Sequence, residues 1–427
     1  MPISLITLMF SHPDSSRAND LGREFITGFM QNTNSTEGAN NLKLIITAFS
    51  GPTSVNINIT STSTQWTVSL QEGETRAVTV PQSAEMIGSA RFPSSILITS
   101  DKDISVVSVS EKLQSAGTAV LLPVSKLGTQ YYVLTPTGTR RCSHKQFSVI
   151  NHKFSNKVIL SFRQHVTFTE DMYVPKKKLV LTLEPYQALQ LQSQEDLSGT
   201  KVVSEMPVAV LSGHTCMWQG SMCDHVYEQL PPVSRWKKSF LVPPLVAQYK
   251  SDSAYVLAGR KSTQLRYVSG HVKYNTKLER GEVLEILVKP LTPVFISASE
   301  PIQVFYYHSG GISQSQQVGS FFISLSGTSE FCKSYNVYGL ANFENSAALV
   351  ANTSASGGVT LDDQPLSNIQ WRRIPGTDYS WAVVNFDTAR NSHTLKHPGA
   401  AFEVLNIGTV TQRAYGTSAI CTEGMCE

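Results

Sequence analysis

The chain has 427 residues, 41% of them hydrophobic and 16% charged, with a formal net charge of +3 at pH 7. That length exceeds the roughly 250–300 residues a single core can organise, so two to four domains are expected. The balance of 35 basic and 32 acidic residues gives no support to a nucleic-acid partner. No apolar run reaches the roughly 18 residues that would span a membrane.

The opening, MPISLITLMF, has an apolar centre but no basic start and no clear cleavage site, so residues 1–20 read as a leader or a loose segment. Strand-like runs then follow: REFITGFM, NLKLIITAF, SVNINIT, QWTVSLQ, TRAVTVP, SSILITS and ISVVSVS. Each is short, rich in β-branched or aromatic residues and bounded by Gly, Pro, Asn or Ser. SVNINIT alternates apolar with polar residues, which places one face in a core and the other in water. Seven such runs in roughly 100 residues have the size of an immunoglobulin-like sandwich.

The plan recurs. Aromatic-led strands open at Phe25, Tyr131, Phe240 and Tyr335, and Ser/Pro-marked turns lead into closing strands near Asp103, Pro207, Pro301 and Pro398. Both sets of markers keep a period of roughly 100 residues, the size of a domain and not of a solenoid repeat. The sequence therefore predicts an all-β chain of four tandem immunoglobulin-like β-sandwich units, at residues 21–112, 113–215, 216–311 and 312–427, packed as a rod or a compact cluster. The alternative is a propeller with large blades.

The six cysteines are Cys142, Cys216, Cys223, Cys332, Cys421 and Cys426. The close spacing of Cys216 with Cys223, and of Cys421 with Cys426, fits disulfides in an oxidising compartment. Sequons at Asn34, Asn58 and Asn352 are glycosylation candidates and agree with a secreted chain.

The densest polar segment is SGHTCMWQGSMCDHVYEQLPP, Ser212–Pro232. His214, Cys216, Cys223, Asp224 and His225 offer zinc-ligand chemistry, but the Cys-x6-Cys spacing is not that of common structural sites, and a Cys216–Cys223 disulfide closing a loop between units is the plainer reading. His214 and His308 each follow their closing Pro by seven residues, with Ser110 and Leu405 in the other units, which suggests a repeated structural contact. No nucleophile elbow, H-E-x-x-H or phosphate-binding loop occurs. Glu24, Asp171, Asp224 and Glu228 have turn or solvated roles by default. Of the basic clusters, PKKK at Pro175–Lys178 reads as a solvated hairpin tip, with binding to sulfated polysaccharide as the functional alternative. WKK at Trp236–Lys238 and WRR at Trp371–Arg373 offer residue types favoured in protein recognition, although a strand Trp is more often core.

LGREFITGFMQN (Leu21–Asn32), EDLSGTKVVSEMPVAVLSGHTC (Glu195–Cys216) and CDHVYEQLPPVSRWKKSFLVPPL (Cys223–Leu245) resemble the N-terminal domain family of IgGFc-binding protein. The resemblance runs from Leu21 to near Gly311 and more thinly beyond, and Lys237 stands where that family has Gly. It implies a secreted, mucus-associated protein with this domain ahead of von Willebrand type D modules, so the chain reads as a fragment or a short stand-alone member. It also implies partners among immunoglobulin Fc or mucins, with no nucleic acid. The expected function is non-catalytic binding of a protein or glycoprotein without cofactor or metal. The alternatives are a structural mucus component and a metal-dependent enzyme built on His214–His225. The expected contact region is His214–Trp236, read as a long non-strand stretch carrying Trp218, Tyr227 and Trp236. The competing reading is that it only packs two units together.

Overall fold

The computed structural model describes residues 20–33, 38–137, 143–169, 171–175, 177–219, 222–245, 248, 250–313, 316–388 and 392–424. Within them the regular structure is β-strand, and the only helical elements are 3-10 turns of three residues. Four curled antiparallel sheets of roughly 100 residues each follow one another along the chain.

Each sheet is built on one long strand: Ile96–Lys112, Lys201–Gln219 and Val294–His308, with Ser392–Lys396 and Phe402–Val410 together in the fourth. In the first of these, buried and half-exposed residues alternate at the start, whereas Ile104 to Ser110 are buried without a break. Alternation means one face packed; continuous burial means two. The first half pairs with the opening strand Gly22–Thr27 and with Thr53–Ile59, the second half with Asn41–Ala48 and Ser115–Val120. One strand thus serves two layers and curls the sheet into a half-barrel. An immunoglobulin-like sandwich would keep two separate sheets; here the shared strand joins the layers into one hydrogen-bonded sheet.

The long strand bends at a bulge. Gly22 faces Ile104 while Glu24 faces Thr99, so residues 100–103 are pushed out of the ladder. The same shift occurs at Gly128/Gln130 and Lys237/Ser239. Asp103, Pro207 and Pro301 lie in these bulges, where a proline costs no ladder N–H. In the fourth unit Cys332 faces Phe402 and Ser334 faces Lys396, so the bulge around Pro398 has widened into a break. The sequence markers of the repeat are therefore the bends. The widening also shifts an equivalence: Val304 and Val404 accept the same N–H bond in their units, from Leu325 and Ala419. The fourth-unit counterpart of His308 is therefore Gly408, and Leu405 corresponds to Phe305.

Each long strand returns through a hairpin into an inner strand: Ser115–Val120, Met222–Gln229, Phe321–Ser324 and Arg413–Ser418. Each sheet therefore runs past the boundaries expected at 112, 215 and 311, because a return strand follows the long strand where a new unit was expected. The inner strands pack first on second, second on third, third on fourth and fourth on first. Apolar side chains fill all four junctions. Ile26, Met30 and Ala119 meet Leu211 and Tyr227. Val226 and Trp236 share a core with Leu257 and Phe322. Leu241 meets Val350 and Trp381, and Val107 and Ala116 meet Tyr338 and Tyr415. The units form a closed ring and not a rod, with a propeller's cyclic order but larger sheets than its four-stranded blades.

The turns between units repeat as well. The N–H of Lys126 donates to Pro123 O (2.8 Å), that of Arg235 to Pro232 O (2.9 Å) and that of Glu330 to Gly327 O (2.8 Å). The fourth such bond runs from Asp20 N to Cys421 O (3.1 Å), between residues 401 apart in the chain. At each turn the first residue of an opening strand abuts the residue that starts the next turn. A Cβ on Gly22 would lie 2.3 Å from Pro123 Cβ, and one on Gly128 would lie 2.5 Å from Pro232 Cβ. In the third unit the bulk is exchanged: Lys237 carries the side chain, and a Cβ on Gly327 would lie 2.4 Å from it. In the fourth the pair is a disulfide, Cys332–Cys421, with Cα atoms 5.9 Å apart. Lys237 therefore does not disturb the turn, because Gly327 makes room for it.

Gly327→Pro is expected to cost about 2 kcal/mol through overpacking and loss of the Gly327 N–H, and Lys237→Gly in the same chain to restore most of it. Chemical denaturation of both single variants and the double variant measures this, and additive effects would refute the exchange.

Candidate functional site

The segment His214–Trp236 is not a loop. It is the end of the long strand of the second unit, its hairpin, the inner strand Met222–Gln229 and the 3-10 turn Val233–Arg235. Cys216 and Cys223 are joined across that hairpin, with Cα atoms 4.9 Å apart, so the disulfide lies within one unit and does not link two. Tyr227 is 1% exposed, and its hydroxyl lies 2.8 Å from that of Ser108 in the first unit. Trp236 is 5% exposed, donates Nε1–H to Pro231 O (3.2 Å) and packs on Tyr132, ring centroids 5.9 Å apart. Both are buried and fasten the second unit to its neighbours. Trp218 lies in the strand opposite Cys223. The structure does not describe its side chain.

The polar residues of the segment are directed at neighbouring units. Asp224 Oδ2 accepts from Ser320 N (2.9 Å) and Ser320 Oγ (3.0 Å). Four residues on, Glu228 accepts from Ser324 N (3.0 Å) and from Gln229 N (3.0 Å). Two parallel-running inner strands are thus joined by carboxylates placed on backbone N–H groups at matching four-residue steps. Burial pushes Asp224 up to about 7 and Glu228 up to about 8, against the opposing pull of these bonds. Glu403 in the fourth unit is also pushed up to about 8 by burial, with Ser326 as its hydrogen-bond partner. His214 Nδ1 accepts from Cys216 N (3.1 Å), and His225 Nδ1 lies 3.0 Å from His214 O. Burial lowers the two imidazoles to about 3 and about 4. Among the described residues no group of three or more His, Cys, Asp or Glu is arranged to hold a metal ion.

His308 occupies the place of His214 in the third unit but uses other partners. Its Nδ1 lies 3.0 Å from Asp252 Oδ2, which also accepts from Tyr306 Oη (2.7 Å), while Ser309 N and Oγ donate to Oδ1 at 2.8 and 3.0 Å. Ser, His and Asp are close, yet the serine hydroxyl is spent on the carboxylate and not on the imidazole, so no activated nucleophile results.

The remaining candidates are dispersed. Glu24 pairs with His152 and Lys153, and Asp171 is exposed on a two-stranded hairpin. Arg372 lies over the Trp381 ring (5.6 Å), and Trp371 packs on the fourth core. Lys238 donates to Ser299 O (2.7 Å). Asn58 and Asn352 are half-buried, on a strand and at a strand end, and Asn34 lies outside the described residues. Cys421 pairs with Cys332 and not with its near neighbour Cys426, because Cys332 and Cys421 occupy adjacent strands of the fourth sheet; Cys142 and Cys426 lie outside the described residues. Among the described residues no helix is long and apolar enough to cross a membrane. Sequence reading missed Tyr132, Lys201, Arg260 and Arg280: Lys201 lies over the Tyr132 ring and the charges of Arg260 and Arg280 act on Tyr132, from separate strands and turns without any linear motif.

Two outcomes follow from these contacts. Removing the Cys332–Cys421 bridge by paired alanines should cost about 4–5 kcal/mol in the chain-entropy picture, given a sequence separation of 89; urea melts measure it. The second is a pH slope. Above pH 7.5 both buried imidazoles are essentially neutral in folded and unfolded chains alike. Between pH 7.5 and 8.5 the folded chain retains protons, chiefly on Glu228 and Glu403, that the unfolded chain has lost, so stability falls as pH rises. The urea midpoint should drop across that window, and Glu228→Gln should flatten the drop; a midpoint that rises would contradict this.

Comparison with known proteins places these features in a family. Residues 117–408 match the family described as IgGFc binding protein. The chain is 35% identical over 400 residues to the IgGFc-binding protein of Homo sapiens, covering 93% of this chain but 7% of that protein. A likeness to the major pilin from Streptococcus pyogenes covers 93% of this chain and 98% of that one, at 8% identity and a TM-score of 0.16, and carries no argument. From the matched residues, which run from the inner strand of the first unit to the long strand of the fourth, the chain belongs to the IgGFc-binding protein family.

Proposed function

We propose that this chain is a non-catalytic binding module of a secreted protein, taking up a glycoprotein at its surface, with immunoglobulin Fc and mucins as the partner classes. The observation that carries the reading is membership of a family named for Fc binding. The chemistry of the ring agrees with it. Asp224, His225, Glu228, Asp252 and His308 are buried and each bonds an adjacent strand, so the groups best suited to acid–base work serve packing. Disulfides at Cys216–Cys223 and Cys332–Cys421 suit an oxidising, extracellular compartment, and Asn58 and Asn352 are the glycosylation candidates there. The four units of the expected division act as one rigid body in this reading, presenting turns and sheet edges to the partner. Trp218, at a hairpin tip pinned by the Cys216–Cys223 bridge, is the contact residue we assign from the sequence candidates.

The test is capture on the immobilised chain of IgG Fc and, separately, of a purified mucin. Saturable binding of either is expected, with Trp218→Ala weakening it at least fivefold at unchanged thermal stability. Absence of saturable binding to both glycoproteins would overturn the reading, and a loss of stability without loss of capture would remove Trp218 from the contact.

A further inference from the structure

Where the second and third units meet, two turns touch backbone to backbone. A Cβ on Gly199 would lie 2.2 Å from Gly281 O, and both glycines have left-handed φ, 77° and 74°. The point where a Cβ on Gly281 would stand is 3.3 Å from Tyr132 Cε1 and 3.4 Å from Arg163 Nη1. Arg163 Nη1 donates to Arg280 O (2.9 Å), tying the turn of the third unit to the second. The Arg260 turn lies alongside, since Gly281 N donates to Ala258 O (2.7 Å) and Ala258 N to Glu282 O (3.1 Å).

On the second sheet, Lys178 faces Ser161, Ser161 faces Lys201, and Lys201 faces Tyr132. Directly opposed residues project from the same face of a sheet, with strands about 4.8 Å apart. A row therefore leads from exposed Lys178 through half-buried Lys201 to Tyr132, which is 3% exposed. Lys201 Nζ lies 6.0 Å from the centre of the Tyr132 ring. The charges of Arg280, Arg260 and Arg163 act on the Tyr132 hydroxyl, and those of Arg280 and Lys178 act on Lys201.

Two features make this more than a basic surface. The Tyr132 hydroxyl is buried and has no hydrogen-bond partner; the nearby Gln130 amide does not reach bonding geometry. Among the described residues none of Arg163, Lys178, Lys201, Arg260 and Arg280 has a carboxylate within ion-pair distance, although the chain carries nearly as many acids as bases. The neighbouring acids are engaged: Glu279 pairs with Lys277 (3.3 Å), Glu282 accepts from Glu279 N (2.7 Å), and Asp196 accepts from Thr135 Oγ1 (3.0 Å) and Ser198 N (2.9 Å). A hydroxyl buried unpaired costs free energy, and exposed cations without an ion-pair partner beside it favour an anionic ligand.

We propose that the Lys201–Arg260–Arg280 surface beside Tyr132 is a binding site for sulfate esters on a glycan, with the cations as donors. Several cations converging at the mouth of one row match a chain of repeated sulfates better than a single sugar carboxylate, because one carboxylate would leave most of the charge unmet. The site rests on the glycoprotein-binding reading in naming which part of a glycoprotein is taken, but it can be tested without any glycoprotein.

The probe is immobilised heparin, with fully desulfated heparin, which keeps its carboxylates, as the second matrix. The chain should be retained on heparin and pass through the desulfated matrix. Arg260→Glu/Arg280→Glu should weaken heparin binding at least tenfold with an unchanged melting temperature. The charge-matched control Lys289→Glu/Arg373→Glu, both exposed and in other parts of the ring, should weaken it less than twofold. Equal weakening by the two pairs would reduce the effect to net charge and overturn the site, and equal retention on desulfated heparin would overturn the sulfate assignment. Heparin binding through Arg260 and Arg280 in a chain that captures no glycoprotein keeps this site and removes the functional reading above. Glycoprotein capture without heparin retention removes this site alone.

Discussion

The second half of each long strand is buried on both faces, and the rest of the structure follows from that. A strand in a curled single sheet has one face on its own core; its other face needs a cover. Residues such as Val107, Leu211 and Phe305 are apolar on the outward side of their own sheet, where a lone unit would leave them in water. The neighbouring inner strand supplies the cover, and since each unit both covers and needs covering, the only arrangement of four without an exposed end is a closed cycle. The ring is thus a solution to burial, and its closure between Asp20 and Cys421 completes the last of four equivalent turns.

Closure also places four equivalent residues around one end of the ring: Asp20, Lys126, Arg235 and Glu330. Their charges alternate in pairs and meet as Lys126–Asp20 (4.0 Å), Arg235–Asp20 (3.7 Å) and Arg235–Glu330 (3.8 Å). Partly exposed pairs at these distances contribute little energy individually. Their effect is on order: two acids and two bases at symmetric positions favour one cyclic sequence of units, where four like charges would oppose closure. The buried carboxylates act more strongly. Asp224 and Glu228 fix the second unit against the third at a single register, since a slip of one residue along the inner strand would remove both carboxylates from their N–H donors.

Much of this architecture was legible. The aromatic openers and the Asp/Pro closers that mark the repeat in the sequence are the buried anchors and the bulges of the shared strand. What the repeat did not disclose was the partner of each face. Tyr227 and Trp236 look like contact residues in sequence because an aromatic between polar neighbours suits an exposed loop equally well; only the cyclic packing assigns them to unit junctions. The pairing of Cys332 with Cys421 escaped a reading by proximity, since the two are 89 residues apart. It becomes legible once the units are superposed, because these cysteines stand where Gly22 meets Pro123 and Gly128 meets Pro232. The equivalence of His308 with Leu405 failed for a related reason: the widened break around Pro398 displaced the count by three residues.

The same logic explains why the surface near Trp236 could not be read from a motif. Lys178, Lys201 and Tyr132 fall in one row through strand register, and the turns that carry Arg260 and Arg280 come beside that row where two glycine turns of different units touch at Gly199 and Gly281. A side chain at either glycine would hold the turns apart, and the left-handed backbone at both disfavours one in any case. The tight contact that seals the ring at this junction is therefore also what gathers the cations. In the four unit-to-unit turns the bulk of a Pro, a Lys or a disulfide occupies the contact, and the charges of Asp20, Lys126, Arg235 and Glu330 are engaged with one another. The junction of the second and third units is the place where sealing the ring leaves a buried hydroxyl and a set of cations with chemistry still to be satisfied.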